Sequence, residues 1–329
     1  MDPDAAKILY LCRKGGPHPA HEHFVTANAE VVAVRPLNMK MVKYLAGRKY
    51  DVALADGLST LPIGYALKRC KLVDKLIFIT TSPAFVYRRN IFKKLLPRVD
   101  GVIATSSLMA SLIKNSFNYK GPVYVCFPIP DLEDFLKVCP SIDSKKACFI
   151  GTYGYHKGAD LLPILADKLK KEIKEAKIFV IGHKQHYKLN QYRGIEFFGY
   201  VSRASIPRLI SQCSVYLHPA RIEAFGACAI ESMAAGLIPV VTDTTGAKDI
   251  VRLLDPTLVV KCNVDAIIEK IIEIWSWKHE KRVSLSNKAK KIVNMYAKIA
   301  PVVFAKSLKA ILCAEENGYV DISSKKYHI

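Results

Sequence analysis

The chain has 329 residues, 50% of them hydrophobic and 24% charged, with a formal net charge of +20. Two domains of roughly 150 residues each fit that length, and the apolar share together with the lack of long Pro, Ser or Gly tracts excludes a mostly disordered chain. Nine cysteines, odd in number and without a Cys-x-x-Cys pair, argue against a disulfide framework and a zinc site, while the surplus of lysine and arginine points to polyanionic partners: nucleotides, anionic lipid headgroups or nucleic acid.

At the N-terminus, Asp2 and Asp4 precede a short apolar run, the wrong charge order for a secretory signal. No apolar run reaches the roughly 18 to 20 residues of a spanning helix, so a cytoplasmic protein is expected. Candidate strands follow at 7–12, 31–34, 52–55, 76–80, 101–105 and 123–127, with helical segments between them. After the first strand come Gly15-Gly16 and then His18, His21 and His23, whose spacing fits no standard metal site. The run 85–98 sets Arg88, Arg89, Lys93, Lys94 and Arg98 beside Phe85, Ile91, Phe92, Leu95 and Leu96. At helical spacing that is an apolar stripe with a cationic rim, suited to an anionic membrane surface or to ordinary inward packing.

The polar stretch 140–146 separates this half from a second, with strands expected at 147–150, 178–181, 195–198, 215–218, 238–241 and 258–260. Runs apolar throughout, such as Ile178-Phe179-Val180-Ile181, suit strands covered on both faces by helices. The fold class is therefore α/β, two Rossmann-like doubly wound parallel sheets, with ligands expected outside the carboxyl ends of the strands. Domains are expected at 1–140 and 141–300, with 301–329 returning to the first. Helical spacing over 283–316 is interrupted by Pro301, which predicts two helices there.

Chemistry concentrates between His218 and Val241. A strand ends near His218, a loop holds Glu223, and a helix runs from about Gly226 to Gly236, with Glu231 one turn inside it. The first amides of that helix, with the positive end of its dipole, favour an anion. Thr244-Thr245-Gly246-Ala247 opens another helix on the same sheet edge, and the turn Gly151-Thr152-Tyr153-Gly154-Tyr155-His156-Lys157-Gly158 adds a cation. Three such sources of positive potential on one edge suit a diphosphate, and carboxylates beside it suit hydroxyl groups. The turn is neither Gly-x-Gly-x-x-Gly nor a P-loop, which removes the main support for a dinucleotide oxidoreductase or an NTPase.

Glu223-x7-Glu231 in this setting resembles the donor-site signature of retaining glycosyltransferases of the GT-B fold, family-4 type (glycosyl transferases group 1). Supporting matches are Phe149-Ile150-Gly151 with Lys157-Gly158, the runs 178–182, 195–201 and 240–246, and, in the first half, Asp100 to Ser107. The resemblance implies a metal-independent hexosyltransferase that needs no cofactor and takes a UDP- or GDP-sugar as donor, with a lipid-linked or glycan acceptor. It implies that Glu231 binds the ribose hydroxyls, that Glu223 faces the donor sugar and that Lys157 holds the diphosphate. Backbone amides at Phe225, Gly226 and Ala227 complete the cradle, the base lies near Gly199, Tyr200 and Val201, and Gly15-Gly16 match the family's glycine loop. The chain departs from the pattern at Thr152, where the family usually has a diphosphate-binding arginine, and at Ser82, where a histidine commonly stands; the Asn-Gly usual near the end of the first domain is absent from 127–131. These departures leave open a nucleotide-sugar-binding protein with weak or no turnover. The +20 charge leaves open nucleic acid as the acceptor.

Overall fold

The structure is a computed structural model and describes residues 6–13, 16–34, 43–182 and 192–313. It contains two six-stranded sheets, all strands parallel, ordered β2-β1-β3-β4-β5-β6 and β12-β11-β10-β7-β8-β9. The first sheet comprises β1 (Ile8–Cys12), β2 (Ala29–Ala33), β3 (Tyr50–Asp56), β4 (Val73–Ile79), β5 (Gly101–Ala104) and β6 (Val123–Val125). The second comprises β7 (Lys146–Ile150), β8 (Lys177–Ile181), β9 (Ile195–Gly199), β10 (Val215–His218), β11 (Ile238–Thr242) and β12 (Val259–Val260). Every expected strand is present, displaced by a few residues at most, and the α/β class stands.

Two compact units emerge, one formed by residues 1–129 with 298–329 and the other by 130–297. Their central strands are buried on both faces, as runs such as Ile8–Cys12 and Ile238–Thr242 require. In the first unit the core gathers Ile8, Tyr10, Val52, Leu54, Ile77 and Ile103 with Phe304, Leu308 and Ile311 from the C-terminal helix. Phe24 and Phe304 meet there with ring centroids 5.0 Å apart. In the second unit, the helix Val264–Ser276 starts on Asn263, whose side chain accepts from the Ala266 N–H, and buries Ile267, Ile271, Ile274 and Trp275. The Trp275 indole N–H donates to Ser214 Oγ at 3.0 Å, so the buried ring leaves no orphan donor.

Two sequence expectations need correction or refinement. The C-terminal segment is one helix, His279–Cys313, with Pro301 inside it, where two helices were expected. Proline removes one backbone bond and crowds one carbonyl, but the helix is pinned by buried Ala289, Val293 and Tyr296 before the proline and Phe304 and Leu308 after it. The run 85–98 forms two short helices, Ala84–Tyr87 and Arg89–Leu95, and a 3-10 turn, with Phe85, Phe92 and Leu96 turned inward against Phe78 and Phe117. Ile91 and Tyr87 remain outside, at 50% and 64% exposure. Among the described residues no helix is long and apolar enough to cross a membrane.

Candidate active site

Strand order decides where a ligand can enter each sheet. In the second sheet the chain lays β8 and β9 to one side of β7 and then returns to place β10, β11 and β12 on the other. The crevice of such a sheet opens at this reversal, outside the carboxyl ends of β7 and β10. The glycine-rich turn leaves β7, the Glu223 loop leaves β10, and Thr244–Gly246 leaves β11, so the three sources of positive potential share neighbouring strand ends.

Backbone bonds fix the Glu223 loop. The Glu223 N–H donates to the Thr244 carbonyl, the Gly246 N–H to the Glu223 carbonyl, and the Ala247 N–H to the Phe225 carbonyl at 2.6 Å. On the other side, the N–H groups of Arg221 and Ile222 both donate to the His156 carbonyl and tie the loop to the turn after β7. Gly226 then caps the helix Ala227–Ala234 in the left-handed region, φ 93°. A Cβ there would sit 3.2 Å from Thr245 Cγ2 and 3.4 Å from Glu223 Cγ, so glycine serves both the conformation and the space. The helix start leaves the amides of Gly226, Ala227 and Cys228 without an intrahelical acceptor, on the Glu223 side of the helix.

Lys157 Nζ lies 2.9 Å from Glu223 Oε2, with the two side chains 22% and 13% exposed. His218 Nε2 is 3.6 Å from the same oxygen, and its Nδ1 shares a 2.8 Å hydrogen bond with the buried Tyr216 hydroxyl. Burial works against a charged Glu223, but the nearby His218 and the charge of Lys157 hold its carboxyl well below the ordinary range. Burial also works against the Lys157 ammonium, and Glu223 outweighs it, so the lysine stays above its usual value. Burial depresses His218, with Glu223 only partly opposing, which keeps the ring neutral near pH 7. The site thus holds one fixed ion pair with a neutral imidazole beside it. Neither Glu223 Oε2 nor His218 Nε2 has an aligned hydrogen-bond partner among the described residues, although Lys157 is close to the former, so both are poised for hydroxyl groups.

Glu231 sits on the same helix, 4% exposed. Arg203, from the 3-10 turn after β9, donates to Glu231 Oε1 at 2.7 Å and to the Asp131 carbonyl at 2.6 Å, and its guanidinium lies 5.2 Å from the Phe135 ring centroid. Burial raises the Glu231 carboxyl, and Arg203 only partly pulls it back. Of the other expected site residues, Phe225 is buried and Ala227 opens the helix, while Thr152 stands exposed in the turn after β7. Tyr200 is 80% exposed and Val201 half-buried just before the Arg203 turn. Gly16 lies in the first unit, lining a cavity there together with Ser82; Gly15 falls outside the described residues. Sequence reasoning missed His218 as a partner of Glu223 and missed Arg203 altogether. Position five residues before Glu223 was a signal for the first; nothing in the spacing signalled the second.

Residues 137–292 match the family described as glycosyl transferases group 1. An uncharacterized glycosyltransferase of Methanocaldococcus jannaschii is 27% identical over 176 residues, 47% of this chain and 45% of that protein. A GDP-Man:Man(3)GlcNAc(2)-PP-Dol alpha-1,2-mannosyltransferase of Dictyostelium discoideum is 37% identical over 103 residues, 31% of this chain and 20% of that protein. The matches thus span less than half the length of these curated relatives. Among solved structures, sucrose-phosphate synthase of Thermosynechococcus elongatus superposes with a TM-score of 0.73 at 14% identity, over 94% of this chain and 100% of that one. HepE of Anabaena, solved in complex with UDP and glucose, does so at 0.68 and 18% identity, over 93% and 100%. Residues 137–292 thus match the glycosyl transferases group 1 family, and with its two parallel sheets the chain has the GT-B fold of these solved structures.

Proposed function

We propose that this protein transfers a hexose from a nucleoside-diphosphate sugar to an acceptor hydroxyl with retention of configuration, and needs no metal. The observation that carries this reading is the Lys157–Glu223 pair at the reversal point of the second sheet, beside a helix start led by Gly226. When the sugar–diphosphate bond breaks, negative charge grows on the departing oxygen, and Lys157 with the amides of Gly226 and Ala227 is placed to stabilise it without reorganising. That fixed positive potential is what a divalent cation would otherwise supply. Glu223, whose ionised form Lys157 and His218 favour, accepts from hydroxyls of the donor sugar, and Glu231 accepts from the ribose once Arg203 yields or shares it. The base lies along Tyr200 and Val201. HepE's complexes with UDP and with UDP-glucose support a UDP-sugar as donor, and the mannosyltransferase relative supports a GDP-sugar and a lipid-linked acceptor.

Nucleotide-sugar binding without turnover is the second reading, favoured by Thr152 where a second cation is expected and by Arg203 occupying Glu231. Incubation with a panel of UDP- and GDP-sugars, read by thermal shift and by nucleotide release, separates the two. Transfer or slow hydrolysis that falls at least tenfold in Glu223→Ala and in Lys157→Ala supports the enzyme, the loss expected when one transition-state contact is removed. Saturable binding with no released nucleotide supports the second reading, and wild-type rates in both variants reject the assigned roles.

A further inference from the structure

At the amino ends of β5 and β6, on the edge of the first sheet opposite its strand carboxyl ends, lies a separate cavity of about 360 Å³. That volume is within the range of small-ligand sites, roughly 300 to 1,000 Å³. The cavity is formed by the helix Arg89–Leu95, the 3-10 turn that leads into β5 and the segment 117–121 that leads into β6. We infer that it binds a small phosphorylated ligand with an apolar body, the phosphoryl group held by Lys93, Asn118 and Lys120 and the body lying on Leu96, Val99 and Phe117. The inference is independent of the transferase reading, since it uses no residue of the second unit.

Charge on this cavity is one-sided. Asp100 is the one carboxylate among the described lining residues, and its oxygens are already taken. Lys68 Nζ donates to Oδ1 at 2.6 Å and to Oδ2 at 2.5 Å, and the Leu76 N–H donates to Oδ2 at 2.7 Å. Lys93 and Lys120 are exposed on the same cavity and, like the Asn118 amide, have no hydrogen-bond or ion-pair partner among the described residues. Two free ammonium groups and an amide NH2 match the acceptor oxygens of a phosphoryl group, which a neutral hydroxyl does not replace. The walls are held without a ligand. The Tyr119 hydroxyl donates to the Val99 carbonyl at 3.1 Å and ties the segment before β6 to the one before β5. The same ring lies against Gly121, where a Cβ would come 2.3 Å from the hydroxyl oxygen and displace it. Phe117 packs on Phe85 and Phe92, with ring centroids 5.8 and 4.9 Å away, so the half-buried ring is a fixed apolar floor continuous with the core. A preset floor costs little ordering when a ligand settles on it. Such a ligand comes either from the soluble aryl phosphates or from the alkyl phosphates of lipid type.

The test is isothermal titration calorimetry of the full chain with phenyl phosphate and octyl phosphate, and with phenol, octanol and inorganic phosphate as controls. One organic phosphate is expected to bind at least about tenfold more tightly than inorganic phosphate and than its own neutral alcohol. That affinity should fall at least about tenfold in Lys93→Gln/Lys120→Gln. It should stay unchanged in Lys291→Gln/Lys298→Gln, which removes the same charge from the C-terminal helix. The organic phosphate that binds more tightly identifies the source. No detectable binding of either organic phosphate overturns the inference, as does inorganic phosphate or the neutral alcohol binding as tightly. Full affinity in Lys93→Gln/Lys120→Gln, or an equal loss in the two double variants, overturns it too; all four lysines are exposed, and an unchanged melting temperature verifies folding.

Discussion

Replacing Lys157 with methionine removes the cation beside Glu223 and keeps an unbranched chain of similar length. At 2.9 Å and an effective dielectric constant of about 20, the lost attraction is about 6 kcal/mol before desolvation is counted. The lysine's own desolvation no longer has to be met, and a net loss of about 3 kcal/mol at pH 8 is expected for a mostly buried pair broken on one side. For a unit of this size that is about 6 to 12 °C in melting temperature. The loss should also depend on pH through His218. In the native chain burial depresses His218, and Lys157 adds to that depression against Glu223. Without Lys157 one cause of that depression is gone, so the folded-state value rises toward the unfolded one of about 6.5 and protonation of the ring below that pH costs the variant less stability than the wild type. Scanning calorimetry at pH 5.5, 7 and 8 on the wild type, Lys157→Met, Glu223→Gln and the double variant measures both effects. The deficit of Lys157→Met should shrink toward pH 5.5, and the double variant should be less destabilised than the two single deficits combined. A deficit that is the same at all three pH values, together with additive effects, would refute the ion-pair account.

The two glutamates of the site should respond oppositely to neutralisation. Glu223 titrates below its ordinary value and stabilises the fold above the unfolded value, a contribution lost as pH falls, whereas burial-raised Glu231 favours the fold at low pH and loses that as pH rises. Glu223→Gln therefore lowers the melting temperature at pH 8 and Glu231→Gln raises it, each read by the same calorimetry. Arg203→Ala removes the cation that opposes the burial-driven rise at Glu231, so nucleoside-diphosphate affinity by calorimetry should weaken more from pH 8 to pH 6 than it does in the wild type. Gly182→Ala puts a Cβ 2.0 Å from the Gly151 carbonyl oxygen at φ 143°, and a loss of about 3 kcal/mol is expected from overpacking and strain; a melting temperature within 2 °C of wild type would show that the turn after β7 yields there.

The parallel sheets were legible because a strand covered on both faces has to be apolar at every position, and runs such as Ile178–Ile181 and Ile8–Cys12 meet that demand with few alternatives. Lys157 and Glu223 were legible as sharing one sheet edge because each follows a strand, and β7 and β10 prove to be neighbours. Their direct ion pair was not, since it depends on how the loop after β10 hangs from Thr244 and His156. Arg203 was invisible for a related reason: its contact with Glu231 joins the loop after an edge strand to the middle of a helix. Asp56 hid at the end of an apolar run, where one carboxylate reads as a strand terminus until Tyr10, Thr81 and His21 are seen around it. Pro301 misled because local chemistry predicts a break, while buried residues on both sides of it hold the helix together.

Because Phe304, Leu308 and Ile311 belong to the same core as Ile8 and Val52, the opening segment of the chain leaves the ribosome without the helix that seals its sheet. Residues 130–297 hold all of their own strands and emerge first as a complete set. The order of synthesis is thereby inverted for folding: the middle of the polypeptide can finish before its beginning. A fragment ending near residue 297 should keep the second sheet intact and leave the first with an open apolar face, prone to aggregate.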